Sequence, residues 1–87
     1  MKGHVALVRE HGVEFAVVVV KPQVMHQGKS QKDEAVRAWT IEFEVPTVLM
    51  AQDSRGVPTY YGRPDLVRFL ANHLPEQLPW REFNIAA

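Results

Sequence analysis

The chain contains no cysteine. This absence excludes disulfide bonds, thiolate metal ligands and thiol catalysis, and it removes the covalent cross-links on which most small secreted domains depend. The sequence also lacks net charge, because ten lysines and arginines balance ten aspartates and glutamates. Its overall electric field therefore attracts neither nucleic acid nor an anionic membrane strongly. We expect a cytoplasmic protein for which nucleic acid is disfavoured as a partner.

Long apolar runs are missing as well. The longest one, at residues 15–20, is far shorter than the about 20 residues that span a bilayer, and the run at residues 5–8 is too short for a signal peptide. The chain is nevertheless 46% hydrophobic, as globular proteins are. Its 87 residues allow one domain, over residues 1–87, whose small core would gain from dimerisation. We therefore expect a homodimer and no membrane partner.

A first hairpin is predicted near the start of the chain. Residues 4–8 and 13–20 are rich in β-branched side chains, and the polar link between them ends in Gly12, a residue that tolerates positive φ. Its second strand does not alternate with polar residues over residues 15–20. This pattern indicates that both faces of the strand are covered, so residues 17–20 are expected to be central in the sheet. The alternative is a strand protected at a dimer interface.

A first helix is predicted after a connecting loop. Ser30 can cap the helix, and Asp33 stands three residues later, as in a capping box;. The apolar spacing that follows is helical, and the helix is expected to end near Glu42. Its inner stripe consists of Val36, Trp39, Thr40 and Phe43. We expect Trp39 to pack this helix against the sheet.

A second hairpin and a second helix follow. Residues 47–51 and 57–61 flank a polar link. Pro58 indicates that the second strand lies at a sheet edge or begins late, because proline cannot donate to a strand ladder. Pro64 suits the first position of a helix, which is expected to end before Pro75. The apolar stripe of this helix consists of Leu66, Val67, Phe69, Leu70 and Leu74.

The order ββαββα predicts an α+β fold. Its simplest arrangement is a two-layer sandwich in which a four-stranded sheet carries both helices on one face. The tail over residues 76–87 keeps large apolar side chains, so we expect it to dock on the core. The second face of the sheet would then be open to a partner.

The densest polar and aromatic stretch lies around the second hairpin. It contains Arg55, Tyr60, Tyr61 and Arg63, residue types that are common in interface hot spots and that can also clamp an anion. One of two consecutive tyrosines on a strand points inward, and the arginines can pair with neighbouring aspartates. We predict a binding surface here, and a purely structural role stays open.

A second candidate cluster stands at the predicted start of the first helix. It consists of His26, Lys29, Ser30 and Lys32. Exposed N–H groups at a helix start attract anions, so we predict an anion site, against the alternative of a solvated helix end. A nucleotide-binding P-loop is excluded, because its first glycine would fall on Gln23;.

Catalytic and metal-binding patterns are not found in the sequence. The four histidines lack the close pairing of a metal site, and none stands beside a serine and an acid in a nucleophile arrangement. We predict no catalytic residue, no metal and no cofactor, although the sequence alone does not decide whether the chain is an enzyme.

The second half of the chain resembles the C-terminal half of the thioredoxin fold. The resemblance rests on residues 45–50, on Tyr61-Gly62 and on residues 66–70, since in that family a proline precedes an antiparallel pair and a glycine leads into the last helix. It implies that Pro46 is a cis-proline beside an active site. Without a Cys-x-x-Cys motif redox activity is excluded, and residues 5–20 predict a hairpin where that family begins strand-helix-strand. A thioredoxin-like variant is the alternative fold.

These features together predict a small non-enzymatic binding or interaction module that forms homodimers, through the open sheet face or the tyrosine-arginine stretch. The alternative is a small enzyme or ligand-binding domain for an anionic small molecule.

Overall fold

Five strands form one mixed sheet in the computed structural model, which describes residues 2–10 and 12–84 of the chain. The strands are β1 (Lys2–Glu10), β2 (Val13–Val19), β3 (Thr47–Gln52), β4 (Pro58–Tyr61) and β5 (Trp80–Asn84). The helices are α1 (Pro22–Met25), α2 (Lys29–Phe43) and α3 (Pro64–Ala71), and a 3-10 turn (Pro75–Gln77) precedes β5. The strand order is β4-β3-β2-β1-β5, in which β2 and β3 are parallel and the other neighbours are antiparallel.

The central position of β2 confirms the prediction from its unbroken apolar run. Every residue from Phe15 to Val18 is at most 1% exposed, because both faces of the strand are covered. The strand is exposed on either side of this stretch, at Glu14 and at Val19, which is 38% exposed. The edge position predicted for the strand with Pro58 is also confirmed, since β4 is an outer strand that begins at this proline.

The prediction of four strands is wrong, because the tail forms a fifth. β5 pairs with β1, so that Trp80 lies opposite Ala6 and Phe83 lies opposite Gly3. Trp80 packs on one face of the sheet and Phe83 on the other. This distribution places one large side chain on each face, and such a pattern lacks the simple alternation by which a strand is recognised.

The prediction of helices on one face is also wrong. α2 packs against one side of the sheet, called here the α2 face, where Val5, Ala16 and Val18 are buried. α3 buries Leu66 and Leu70 on the opposite side, the α3 face. A central strand that is apolar on both sides needs a cover on each. The architecture therefore has three layers and not two, and the expected open face is largely closed.

Helix α2 agrees with its predicted span to about one residue at each end. Trp39 stacks on Phe43 at 5.5 Å between ring centroids and meets Phe83 edge-on at 5.6 Å, which confirms its role in packing the helix on the sheet. The start differs from the prediction, because Gly28 is the N-cap and its N–H donates to Gln31 Oε1. The short helix α1 occupies part of the expected loop.

The thioredoxin-like alternative is not supported at the positions that would decide it. The chain begins with a hairpin, as predicted, and not with strand-helix-strand. The bond before Pro46 is trans, because residues 2–10 and 12–84 contain no cis peptide.

Within the same residues, no helix has the length and apolar character required to cross a membrane.

Candidate functional site

The two consecutive tyrosines of β4 point to opposite faces of the sheet. Tyr60 packs on the α3 face against the core, where its buried hydroxyl has no hydrogen-bond partner among the described residues. Burial raises the pKa of Tyr60, and the charge of Glu76 adds to the shift. Tyr61 lies on the α2 face, so only this tyrosine is placed to join the charged residues of α2.

Tyr61 contacts the first turns of α2. Its hydroxyl donates to Asp33 Oδ1 at 2.5 Å, and Lys29 Nζ donates to Asp33 Oδ2 at 3.2 Å. Lys32 Nζ lies 4.4 Å from the centroid of the Tyr61 ring, within the range of a cation–π contact. The fold therefore joins part of the tyrosine-arginine stretch to part of the predicted anion cluster.

Gly62 brings the start of α3 close to the sheet. A Cβ atom at this position would lie 3.1 Å from Val48 Cγ2 and 3.3 Å from the carbonyl oxygen of Thr47, which is tighter than ordinary side-chain packing. The next residue, Arg63, donates to Asp65 twice, from Nε to Oδ1 at 3.0 Å and from Nη2 to Oδ2 at 2.7 Å. The glycine thus sets the position of an arginine beside Tyr61.

A cavity of about 390 Å³ lies between the first turns of α2 and the junction of β4 with α3. We call it the Tyr61 groove. Its lining residues are Lys29, Asp33, Val36, Tyr61, Gly62, Arg63 and Pro64. The charged side chains remain accessible, since those of Lys29 and Arg63 are 84% and 53% exposed. Exposed ion pairs of this kind contribute about 0–1 kcal/mol each, so a partner can replace them at little cost.

No family model, no characterised protein and no solved structure matches this chain. The function therefore has to follow from the groove itself. The groove offers an aromatic ring, two apolar residues and charges of both signs on one accessible surface.

The pKa shifts in the groove all move away from neutral pH. The hydrogen bond from Tyr61, followed by the one from Lys29, lowers the pKa of Asp33. The bond to Asp33 raises the pKa of Tyr61 and that of Lys29. A general acid or base works best with a pKa near the operating pH. These groups thus keep one protonation state at neutral pH.

Replacing Tyr61 by phenylalanine is expected to raise the pKa of the Asp33 carboxyl toward its ordinary value, because the largest cause of its lowering is the tyrosine hydroxyl. Carboxyl-carbon NMR titration measures this pKa directly. Because a lowered carboxyl pKa favours the folded state, the stability contributed by Asp33 is present above its unfolded pKa of about 3.9. It is lost as the pH falls through the folded pKa.

Asp65 provides the internal control for this titration. Its pKa is lowered by the hydrogen bond from Arg63 and not by Tyr61, so it should be the same in both proteins. An unchanged Asp33 pKa in the Tyr61→Phe protein would show that the 2.5 Å contact does not govern this carboxyl.

The other candidate residues lie outside the Tyr61 groove. Arg55 stands in the β3–β4 turn, where its backbone N–H donates to Asp53 Oδ1 at 2.8 Å. His26 lines a separate cavity of about 290 Å³ at the end of β3. Ser30 lies on α2 and lines a neighbouring cavity of about 550 Å³ with Lys29, Asp33, Glu34 and Arg37. The histidines and acids within residues 2–10 and 12–84 form no group of three that could hold a metal.

Sequence reasoning missed four members of the groove as site residues. Asp33 was interpreted as a capping residue, although its spacing of four from Lys29 is that of a helical ion pair. Val36 was interpreted only as part of the inner stripe of α2. Gly62 was interpreted only as the glycine that leads into the last helix, and Pro64 only as the first position of that helix. Their contribution depends on the distance between α2 and the β4–α3 junction, and no local pattern encodes that distance.

Proposed function

We propose that this chain is a small, cytoplasmic, non-enzymatic binding module that forms a homodimer through the Tyr61 groove. The observation that carries the proposal is the convergence of Tyr61, Lys29, Lys32 and Arg63 on one accessible surface. Tyrosine and arginine are the residue types most enriched where binding energy concentrates. The open sheet face considered from the sequence no longer supports an interface, because α3 packs on it.

The charges of the groove favour a second copy of the chain as the partner. In a two-fold interface the same patch faces itself, so each residue that a subunit offers must find its complement on that same patch. The groove offers both signs for such pairing, since Lys29 and Arg63 pair with Asp33 and Asp65 on the same surface and Lys32 adds a third cation. In the proposed dimer, Arg63 of each subunit exchanges its ion pair with Asp65 of its own chain for an ion pair with an aspartate of the other subunit.

Non-enzymatic function is supported by the protonation of the groove. Its acids and bases are stabilised in their ordinary charge states by mutual hydrogen bonds, and none is brought toward neutral pH. Catalytic acids and bases show the opposite tendency. The polar groups are thus arranged to recognise a surface.

Sedimentation velocity from micromolar to near-millimolar concentration tests the homodimer. We expect dimerisation that weakens about tenfold or more in Arg63→Glu, because this change puts like charges across the two-fold axis. Arg55→Glu is the matched control, since Arg55 is exposed but lies outside the groove. A strictly monomeric wild type would overturn the proposal, and equal weakening by both variants would place the interface elsewhere.

An anionic small molecule at the start of α2 is the second candidate ligand. It is favoured by one observation, that the first turn of α2 contains no acidic residue and begins with Lys29. A thermal-shift series with inorganic phosphate decides this case, because a ligand at about 100 times its Kd adds about 2.7 kcal/mol. Stabilisation that disappears in Lys29→Gln would support it, and an unchanged melting temperature would remove it.

A further inference from the structure

One part of the α3 face stays open, at the carboxyl ends of the parallel strands β2 and β3. Val17 and Val48 are fully buried where α3 packs on this face, whereas Val19, further along the central strand, is 38% exposed. In open, mostly parallel sheets, ligands bind in the crevice outside the carboxyl ends of the strands. The single parallel pair β2–β3 has the exposed Val19 at the corresponding end.

A cavity of about 370 Å³ lies over this end of the sheet. Its volume falls within the range of small-molecule sites. Val19 and Met50 line it from the sheet, while Pro75 lines it from the 3-10 turn and Trp80 from β5. A ligand in this cavity thus meets aliphatic and aromatic surface on several sides.

The free polar atoms of the cavity are chiefly acceptors. Gln52 uses one of its two amide N–H groups to donate to the carbonyl oxygen of Gly56 at 3.1 Å, and its Oε1 stays available. The indole N–H of Trp80 is likewise used, by the carbonyl oxygen of Pro75 at 2.7 Å. The carboxylate of Glu76 has no hydrogen bond or ion pair within the described part of the chain.

This distribution selects the charge of the ligand. The indole N–H of Trp80 and one amide N–H of Gln52 are already used within the chain, whereas the amide oxygen of Gln52 and the negatively charged carboxylate of Glu76 are not. A ligand that donates hydrogen bonds and carries positive charge gains most from such acceptors. His4 also lines the cavity.

We propose that this cavity binds a small aliphatic amine in its protonated form. The alkyl chain lies on Val19 and Met50, and the ammonium group donates to the Glu76 carboxylate and to Gln52 Oε1. Trp80 lines the same space, where an aromatic ring favours a cation. The site is separate from the Tyr61 groove and does not depend on dimerisation.

Titration with n-pentylamine, followed by amide and indole NMR shifts, tests the site. Pentanoate and 1-pentanol are the matched probes, because they keep the alkyl chain and change only the charge. We expect saturable shifts at Val19, Gln52 and the Trp80 indole with the amine alone. Equal binding of pentanoate or of pentanol would overturn the proposal, as would shifts that avoid these residues.

Glu76→Gln separates the charge from the shape of the cavity. Losing a charge-assisted hydrogen bond is expected to weaken pentylamine binding about tenfold. Glu34→Gln removes an exposed carboxylate from α2, on the other face of the sheet, and should bind as the wild type does. Unchanged affinity in Glu76→Gln, with a wild-type urea midpoint, would contradict the proposal. Arg63→Glu should also bind the amine normally, so the two proposals fail or succeed separately.

Discussion

Replacing Leu70 by alanine is expected to lower the free energy of unfolding by about 3 kcal/mol or more, within the 2–5 kcal/mol range of buried leucines. Leu70 is 0% exposed and belongs to the cluster formed by α3 with Val17 and Val48. The sheet would enclose the cavity left behind, and filling it would require neighbouring side chains to move at a high cost in free energy. Small domains are stable by only about 5–15 kcal/mol, so this one change removes a large share.

Leu74→Ala is the matched control for this prediction. The same side chain is removed just after the end of α3, where Leu74 is 62% exposed, and we expect a change within about 0.5 kcal/mol. Urea denaturation followed by circular dichroism compares the two midpoints. Similar losses in both proteins would contradict the packing of α3 on the sheet.

Trp39→Ala is the second change with a large expected effect. Trp39 contacts both Phe43 and Phe83 through its ring, and these contacts join α2 to the edge strand β5. Because Trp39 is only partly buried, we expect a loss of about 2–3 kcal/mol, below the 3–5 kcal/mol of a fully buried tryptophan. Urea denaturation measures this loss as well.

Ile41→Ala controls for the helix itself. Ile41 is on the same helix but is 71% exposed, so its removal should change the urea midpoint little, and alanine is the better helix former. If Ile41→Ala destabilised the protein as much as Trp39→Ala, the contacts of Trp39 with Phe43 and Phe83 would not be the main interaction that holds α2 on the sheet.

The elements with strong local signals could be predicted from the sequence. The run over residues 15–20 indicated a central strand because a chain apolar on both sides can only lie between covers. Pro58 indicated an edge because it lacks the donor that an inner strand requires. The spacing around Trp39 indicated the inner side of α2. Each of these inferences needs only neighbouring residues.

The arrangement of these elements could not be predicted in the same way. Whether α3 packs on the same face of the sheet as α2 or on the opposite face depends on where the chain leaves the sheet after β4. The position of β5 depends on β1, a strand from the other end of the chain. The site shows the same limit. Tyr61 was identified, but its hydrogen bond to Asp33 joins two residues that lie 28 positions apart in the chain.

The pairing of β5 with β1 also has a consequence for the order in which the chain can fold. Lys2 lies opposite Asn84, so nearly the whole chain forms the loop that this pair closes. The β1–β2 hairpin, by contrast, closes over a few residues, with Glu10 opposite Val13. Loop-closure entropy rises with loop length, and contacts between distant residues slow folding. The pairing of β5 with the outer edge of β1 is thus expected to form last in the sheet.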